Sequence, residues 1–511
     1  MSVIDNESAT ALEHLDVLVV GAGISGVAAA HSLQTKAPWA RYAIFESRPS
    51  MGGTWDLFRY PGIRSDSDMF TLGFSFRPWE GEKAIAGGDS ILDYVKDTAR
   101  HEGIDRHIRY QHRVLSAAWS TERAVWNVTA ERSDSGEQVE LTASFLFCCT
   151  GYYRYDRGYL PDFAGLEEFE GHLVHPQQWP EDLDYRDKRV VVIGSGATAV
   201  TLIPAMAEAA GHVTMLQRSP TYIAPAPDEN PLLQGLRRIT PGRWSNKVVR
   251  WLLAATSGWM YNFSRKRPEV VKRFLLSAVR KALPDGYDVD THFTPTYNPW
   301  DQRMCVAPGG DLFKAISAGQ ASVVTDHIDR FTRHGVRLTS GDELEADIIV
   351  SATGLEMLFL GGIELTVDGE KVDPATRLTY KGMMLHGVPN LAFAIGYTNA
   401  SWTLKAELTC DYVTRLLKRM RASGLRQCTP QHVDDTVTAQ PLLPLTSGYV
   451  MRAADRFPKQ GDRFPWQVHQ NYLRDYRAMR LSRVEDDSMV FSNRSPVGGS
   501  TPARQPVLTR R

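Results

Sequence analysis

Apolar runs that break at glycine and resume with helical period recur twice along this 511-residue chain. In LDVLVVGAGISGVAAAHSL, the run from Leu15 to Val20 predicts a buried strand, Gly21 a turn, and the small residues that follow a helix to about Leu33. KRVVVIGSGATAVTLIPAM repeats the device, with a strand from Arg189 to Ile193 and a turn at Gly194. YAIFES predicts a second strand ending at Glu46. ILDYVKDTARHEG predicts a helix starting near Ser90, and RVLSAAWS and AVWNVTAER predict strands. SFLFCCTGYY and DIIVSATG each read as a buried strand closed by Thr-Gly, at Gly151 and Gly354. Further on, NLAFAIGYTNASWTLKAELTCDYVTRLL predicts a strand, a turn and a helix capped near Ser401. Strand, glycine turn, helix and strand, twice over, predict an α/β chain with two Rossmann-like dinucleotide-binding domains.

The turns carry chemistry. Gly21 makes the bend, Gly23 lets the backbone approach a pyrophosphate, and Gly26 lets helix and strand pack closely. The positive end of the helix then faces the anion. Glu46 stands near the ~20-residue offset expected of an acid that binds a ribose diol, which points to an adenine dinucleotide with a free ribose. In the second turn Gly194, Gly196 and Ala199 take the three small-residue positions, and Arg218 ends the partner strand where the first motif ends with Glu46. An arginine fork binds a ribose phosphate that an acid would repel, so this site predicts NADPH rather than NADH.

Between 231 and 283, Arg237, Arg238, Arg243 and nine further cations face a single acid, Glu269, with Trp244, Trp251 and Trp259 interleaved. VVKRFLLSAVRKAL has apolar residues at helical spacing. This predicts a helical insertion in the second dinucleotide domain, broken by Pro241, Gly258 and Pro268. The favoured placement is a lid whose Trp and Leu side chains pack on a substrate cavity, ahead of a membrane-surface helix. The net charge of -1 predicts no general attraction to nucleic acid or to an anionic membrane, so that any basic function is local. Five cysteines without metal-ligand spacing, an acidic N-terminus and no run long enough to span a bilayer predict a reduced, soluble, cytoplasmic protein without a bound metal. The segment from Asp486 onward, rich in Ser, Pro, Gly and Arg, predicts disorder.

FEGHLVHPQQWP links the two turns and presents Phe169, Gly171, His175, Trp179 and Pro180 in the pattern F-x-G-x-x-x-H-x-x-x-W-P. That spacing resembles the fingerprint of type I Baeyer-Villiger monooxygenases, within the flavin-containing monooxygenase superfamily. HPQQWPEDLDY and FAIGYTNASWTLKAEL resemble the ethionamide-activating subgroup in particular. The resemblance implies FAD at the first turn, NADPH at the second, and O2 as oxidant. Ketones would become esters or lactones by way of a peroxyflavin, and sulfides or thioamides would also be oxygenated. It implies that Gly53, Thr54 and Trp55 run along FAD, that Asn399 faces the flavin, and that Arg303 holds a peroxyanion with Asp66 as its partner, Asp68 being a near rival. Gln302 stands where many members have a lysine for the NADP phosphate. The resulting domain expectation is FAD-binding for 1–155 and 379–485, NADPH-binding for 156–230 (with linker 169–180) and 296–378, helical insertion for 231–295, and a tail at 486–511. Three alternatives stand: a monooxygenase restricted to sulfur or nitrogen, a thiol-disulfide reductase using Cys148 and Cys149, and a non-catalytic flavin-binding module.

Overall fold

The computed structural model describes residues 12–493 apart from 82, 228–234 and 236–241. Arg237, Arg238 and Pro241 therefore lie outside the described residues, as do the side chains of Arg243 and Trp244. The first sheet is built on the buried strand Glu13–Val20, which pairs in parallel with Tyr42–Phe45 on one side and Gln138–Cys148 on the other. Gln138–Cys148 continues antiparallel into Val125–Arg132 and His112–Ser120. Leu391–Phe393 adds in parallel to the end of Gln138–Cys148. The second sheet is wholly parallel, in the order Ala321–Thr325, His212–Gln217, Arg189–Ile193, Ile348–Ser351, His172–Val174. Its central strands are buried on both faces, as parallel sheets covered by helices must be.

The two Thr-Gly endings mark the crossings between sheets. The segments that leave them, Tyr153–Gly158 and Leu355–Met357, run antiparallel, with Met357 opposite Tyr153. The return to the first sheet comes earlier than the sequence suggested. Glu364–Val367 pairs in parallel with His112–Ser120, so residues 364–371, expected in the NADPH-binding part, extend the first sheet. The apolar face of Leu365 explains this, since it packs with Leu15, Trp119 and Leu385.

The expected tail is also shortened. Met489–Ser492 forms a strand against Gln427–Pro430, and the Asp486 carboxylate accepts from Tyr380. Apolar Met489 is buried in the first core, which repays the ordering of this stretch. Residues 494–511 lie outside the described residues.

The insertion comprises helices Gly242–Lys266, Pro268–Ala282 and Val289–Phe293. Gly258 does not interrupt the first of them, and Pro268 opens the second at a position where a missing N–H costs nothing. Arg250 pins the long helix to the first unit. Its Nη1 donates to the carbonyl oxygens of Phe70, Thr71 and Gly73, and its Nη2 lies 3.0 Å from Glu407 Oε2. These carbonyls lie in and just beyond helix Met69–Leu72.

Candidate active site

Both glycine turns have the geometry their sequences predict. Gly21 has φ +103, and a Cβ there would meet the Cys149 carbonyl oxygen at 2.6 Å. Gly26 passes so close to the first turn that a Cβ would overlap the Gly21 oxygen at 1.9 Å. Gly23 precedes helix Ile24–Lys36 with no side-chain cap, so the first N–H groups of that helix remain open to an anion. Facing it is Gly53, with φ +59, where a Cβ would stand 3.2 Å from the Gly23 Cα. The two bare backbones form a cradle that side chains would fill, as a dinucleotide requires.

Glu46 is 5% exposed; its Oε2 accepts from Ala22 N at 2.8 Å and its Oε1 from Arg48 N at 3.0 Å. Burial pushes its carboxyl up from the ordinary carboxylate range, and the two backbone donors oppose that shift. They also fix the carboxylate at the strand end, and it lines the cleft described below.

The second turn repeats the arrangement. Gly194 has φ +134 and would clash through a Cβ with the Ala352 oxygen. Gly196 precedes helix Ala197–Ala207, again without a side-chain cap, and Ala199 is fully buried against that helix's core. The strand register adds a correction. Val20 pairs with Phe45 in the first unit and Ile193 with Leu216 in the second, so the counterpart of Glu46 is Gln217. Arg218 stands one residue further and is exposed. Gln217 is buried and donates to the His292 oxygen and to Thr325 Oγ1. A neutral amide thus replaces the acid, and the cation follows it.

A cleft of about 550 Å³ joins the first turn to the crossing segments. Gly21, Gly23, Glu46, Gly53, Thr54 and Trp55 line it, and so do Asp66 and Arg303. Arg303 Nη1 lies 3.6 Å from Asp66 Oδ2, both side chains being about one-third exposed, at 31% and 40%. Asp66 is the foremost cause, ahead of the opposing burial, that holds the Arg303 guanidinium charged. Asp68 is separated from this pair by a different task. It caps helix Met69–Leu72, accepting from Thr71 N at 2.9 Å. Around Arg303 the field also includes Tyr152, Tyr153 and Tyr449, which sequence reasoning missed. The signal available was the run GYYRY directly after the first Thr-Gly ending.

The linker residues act at the crossing rather than in the cleft. His175 Nε2 donates to the Gly354 oxygen at 3.1 Å while Nδ1 accepts from Gln177 N at 3.2 Å, which sets the tautomer. Burial lowers its pKa, so the ring is neutral. A Cβ on Gly171 would meet the Asp347 oxygen at 2.5 Å, and Phe169 packs near Phe331. Trp179 packs half-buried on the second core and Pro180 is exposed.

Asn399 is not among the cleft residues. Its amide donates to the Gln470 oxygen, and Thr398 donates to the Gln470 side chain; Ala400 and Trp402 line the cleft instead. Ser401 precedes helix Trp402–Ala422, but its hydroxyl pairs with Thr71 Oγ1 and does not cap the helix. The described residues of the insertion do not act as the expected lid: none of them lines the cleft, Leu252 and Trp259 are exposed, and Trp251 packs on Tyr472 and Tyr476. All five cysteines are free and buried, with no pair poised for redox exchange.

Comparison with known proteins bears on this geometry. Residues 83–230 match the model of a flavin-binding monooxygenase-like family, and residues 19–79 match an NAD(P)-binding Rossmann-like domain. The FAD-containing monooxygenase EthA of Mycobacterium tuberculosis is 54% identical over 488 residues, 95% of this chain and 99% of that protein. EthA of Mycolicibacterium smegmatis is 52% identical over 491 residues, 96% of this chain and 99% of that one. An oxidized steroid monooxygenase bound to NADP superposes with TM-score 0.69 at 25% identity, covering 82% of this chain and 87% of that one. OTEMO in complex with FAD and NADP shares the fold at TM-score 0.68 and 21% identity, covering 81% and 86%. With a charged pair set beside a dinucleotide cradle and relatives matched over nearly their whole length, the chain belongs to the FAD-containing, flavin-binding monooxygenase family.

Proposed function

We propose that this flavin monooxygenase is a Baeyer-Villiger enzyme that inserts one atom of O2 between a ketone carbonyl and its neighbouring carbon, and that it also oxygenates sulfides or thioamides. The balanced reaction takes ketone, O2, NADPH and a proton to ester, NADP+ and water. Gly21, Gly23, Gly53, Thr54, Trp55 and Glu46 would hold FAD, and Gly194, Gly196 and Arg218 would hold NADPH. When bound, FAD accepts a hydride from NADPH and activates O2.

The residues of this chain supply position and charge. Arg303 provides a cation at the cleft wall, where an oxyanion developing from the substrate carbonyl gains stabilisation that water would not give. Asp66 limits the freedom of the guanidinium and offsets its charge before substrate arrives. Tyr153, whose hydroxyl burial pushes far above its ordinary pKa, stays protonated beside Arg303. His175 ties the fingerprint to Gly354, so the two crossing strands keep their relative position beneath the cleft.

The observation that carries this reading is the Arg303–Asp66 pair in the same cleft as the FAD cradle. A monooxygenase restricted to sulfur or nitrogen has no need of such a cation. The test is turnover of the purified holoenzyme with NADPH and isotopically labelled O2 on a panel of ketones and sulfides, with product mass spectrometry. One label in the bridging ester oxygen is the expected result. Sulfoxide from the sulfides with no ester from any ketone would replace this reading with the restricted one.

A further inference from the structure

The insertion displays an unusual surface. The outward face of helix Gly242–Lys266 carries Val248, Leu252, Trp259 and Met260, between 42% and 62% exposed. On the following helix, Pro268–Ala282, Val270 is 43% and Phe274 72% exposed. At 3.6 residues per turn, positions 248, 252 and 259 stand along one stripe. Residues that would cover a cavity are here turned to solvent, while the opposite side, with Val249, Arg250 and Ala254, is buried against the first unit. Single exposed apolar residues need no explanation, but a row of large ones marks a surface that meets something.

The charge around this row says what. Residues 242–283 contain ten Lys and Arg and one acid, Glu269, in a chain whose net charge is -1. Arg250, Arg265 and Arg280 have carboxylate partners in Glu407, Asp301 and Asp290. Among the described residues, Lys247, Lys266, Arg267, Lys272, Arg273 and Lys281 form no ion pair. Lys266 and Arg267 sit at the elbow between the helices, immediately past the apolar stripe. Aromatic and aliphatic side chains flanked by unpaired cations suit the interface of an anionic bilayer, where rings sit at headgroup depth and each cation near the surface adds attraction. A second copy that met this face with the same face would set cation against cation. No described helix is long and apolar enough to cross a membrane, so the contact would be peripheral.

We propose that the outward face of the insertion, centred on Trp259 and the Lys266–Arg267 elbow, docks the enzyme on an anionic lipid surface. No described residue of the docking face lines the cleft.

The test is vesicle co-sedimentation of the FAD-loaded full-length protein. Vesicles of phosphatidylcholine alone are compared with vesicles in which about one-third of the lipid is phosphatidylglycerol. Two double variants are used, Trp259→Ser with Phe274→Ser and Lys266→Glu with Arg267→Glu; all four side chains are on the surface, so both should fold and keep the parent rate of NADPH oxidation in the absence of lipid. The parent should partition to the anionic vesicles, less so in high salt, and each double variant should lose at least about tenfold in partitioning. Failure of the parent to bind anionic vesicles would overturn the proposal, as would equal binding by parent and variants. Loss of a self-associated species in the Trp259→Ser, Phe274→Ser variant, without vesicle binding by the parent, would assign the face to contact between copies instead.

Discussion

Arg303 and Asp66, brought from opposite halves of the chain, face each other across the cleft with Nη1 and Oδ2 3.6 Å apart. The distance is longer than a hydrogen bond. The pair therefore leaves donor capacity on the guanidinium for a substrate oxygen, which a closed bidentate bridge would consume.

Replacing Arg303 with Ala should lower ester formation by about 10²–10³, the usual cost of removing one oxyanion donor. Reduction of the flavin by NADPH should persist in single-turnover absorbance traces. Asp66→Asn should give a smaller loss with reduction likewise retained. Ester formation within about tenfold of the parent after Arg303→Ala would mean that less than roughly 1.4 kcal/mol of stabilisation was lost, and another group must then do this work.

Arg218→Ala should lower kcat/KM for NADPH by roughly 10- to 100-fold, as expected for loss of a charge-assisted contact, while leaving NADH nearly unchanged. Gln217→Glu, which would restore an acid at the register counterpart of Glu46, should weaken NADPH further relative to NADH. Steady-state kinetics with both coenzymes checks this. Equal effects on the two would remove Arg218 from the phosphate site.

Arg250→Ala should destabilise the fold by roughly 3–5 kcal/mol, because it removes the cation paired with the mostly buried Glu407 carboxylate and a donor that three carbonyls share. Arg250→Lys should recover only part, since an ammonium cannot reproduce the fork. Denaturant midpoints of the two variants and the parent measure the effect, and a change below about 1 kcal/mol for Arg250→Ala would deny the clamp its role.

Lys381 gives a pH dependence. Its Nζ is buried over the rings of Tyr380 and Tyr412, 3.1 Å from Asp486, and burial lowers its pKa from 10.5 to about 8 against the attraction of Asp486, with Arg415 and Lys405 adding to the lowering. Below the folded pKa both folded and unfolded chains hold the proton. Between about 8 and 10.5 the folded chain releases it while the unfolded chain keeps it, so stability rises with pH in that window. The stability of the parent relative to Lys381→Met should increase across it by roughly 1–3 kcal/mol. Denaturant titrations at the two ends of the window provide the measurement, and a flat difference would return Lys381 to an ordinary pKa.

What the sequence determined was local. A glycine at a strand end that must take positive φ, and an uncapped helix start directly after it, are properties of a few neighbouring residues, so Gly21, Gly23, Glu46, Gly194 and Gly196 were legible without a fold. So were the strand Arg189–Ile193 and the Thr-Gly endings. Arg303 and Asp66 were named through a family pattern, and their approach was decided only in the folded chain, which brings the segment before Cys305–Pro308 to the segment before Met69–Leu72. Tertiary structure alone separated Asp66 from Asp68, because helix capping is visible only once the helix exists. It set the register that makes Gln217, not Arg218, the counterpart of Glu46. It also turned the insertion outward. Amphipathic spacing says that a helix has an apolar face, but which partner covers that face depends on side chains far along the chain, and here Arg250 committed the other side of the helix to the first unit.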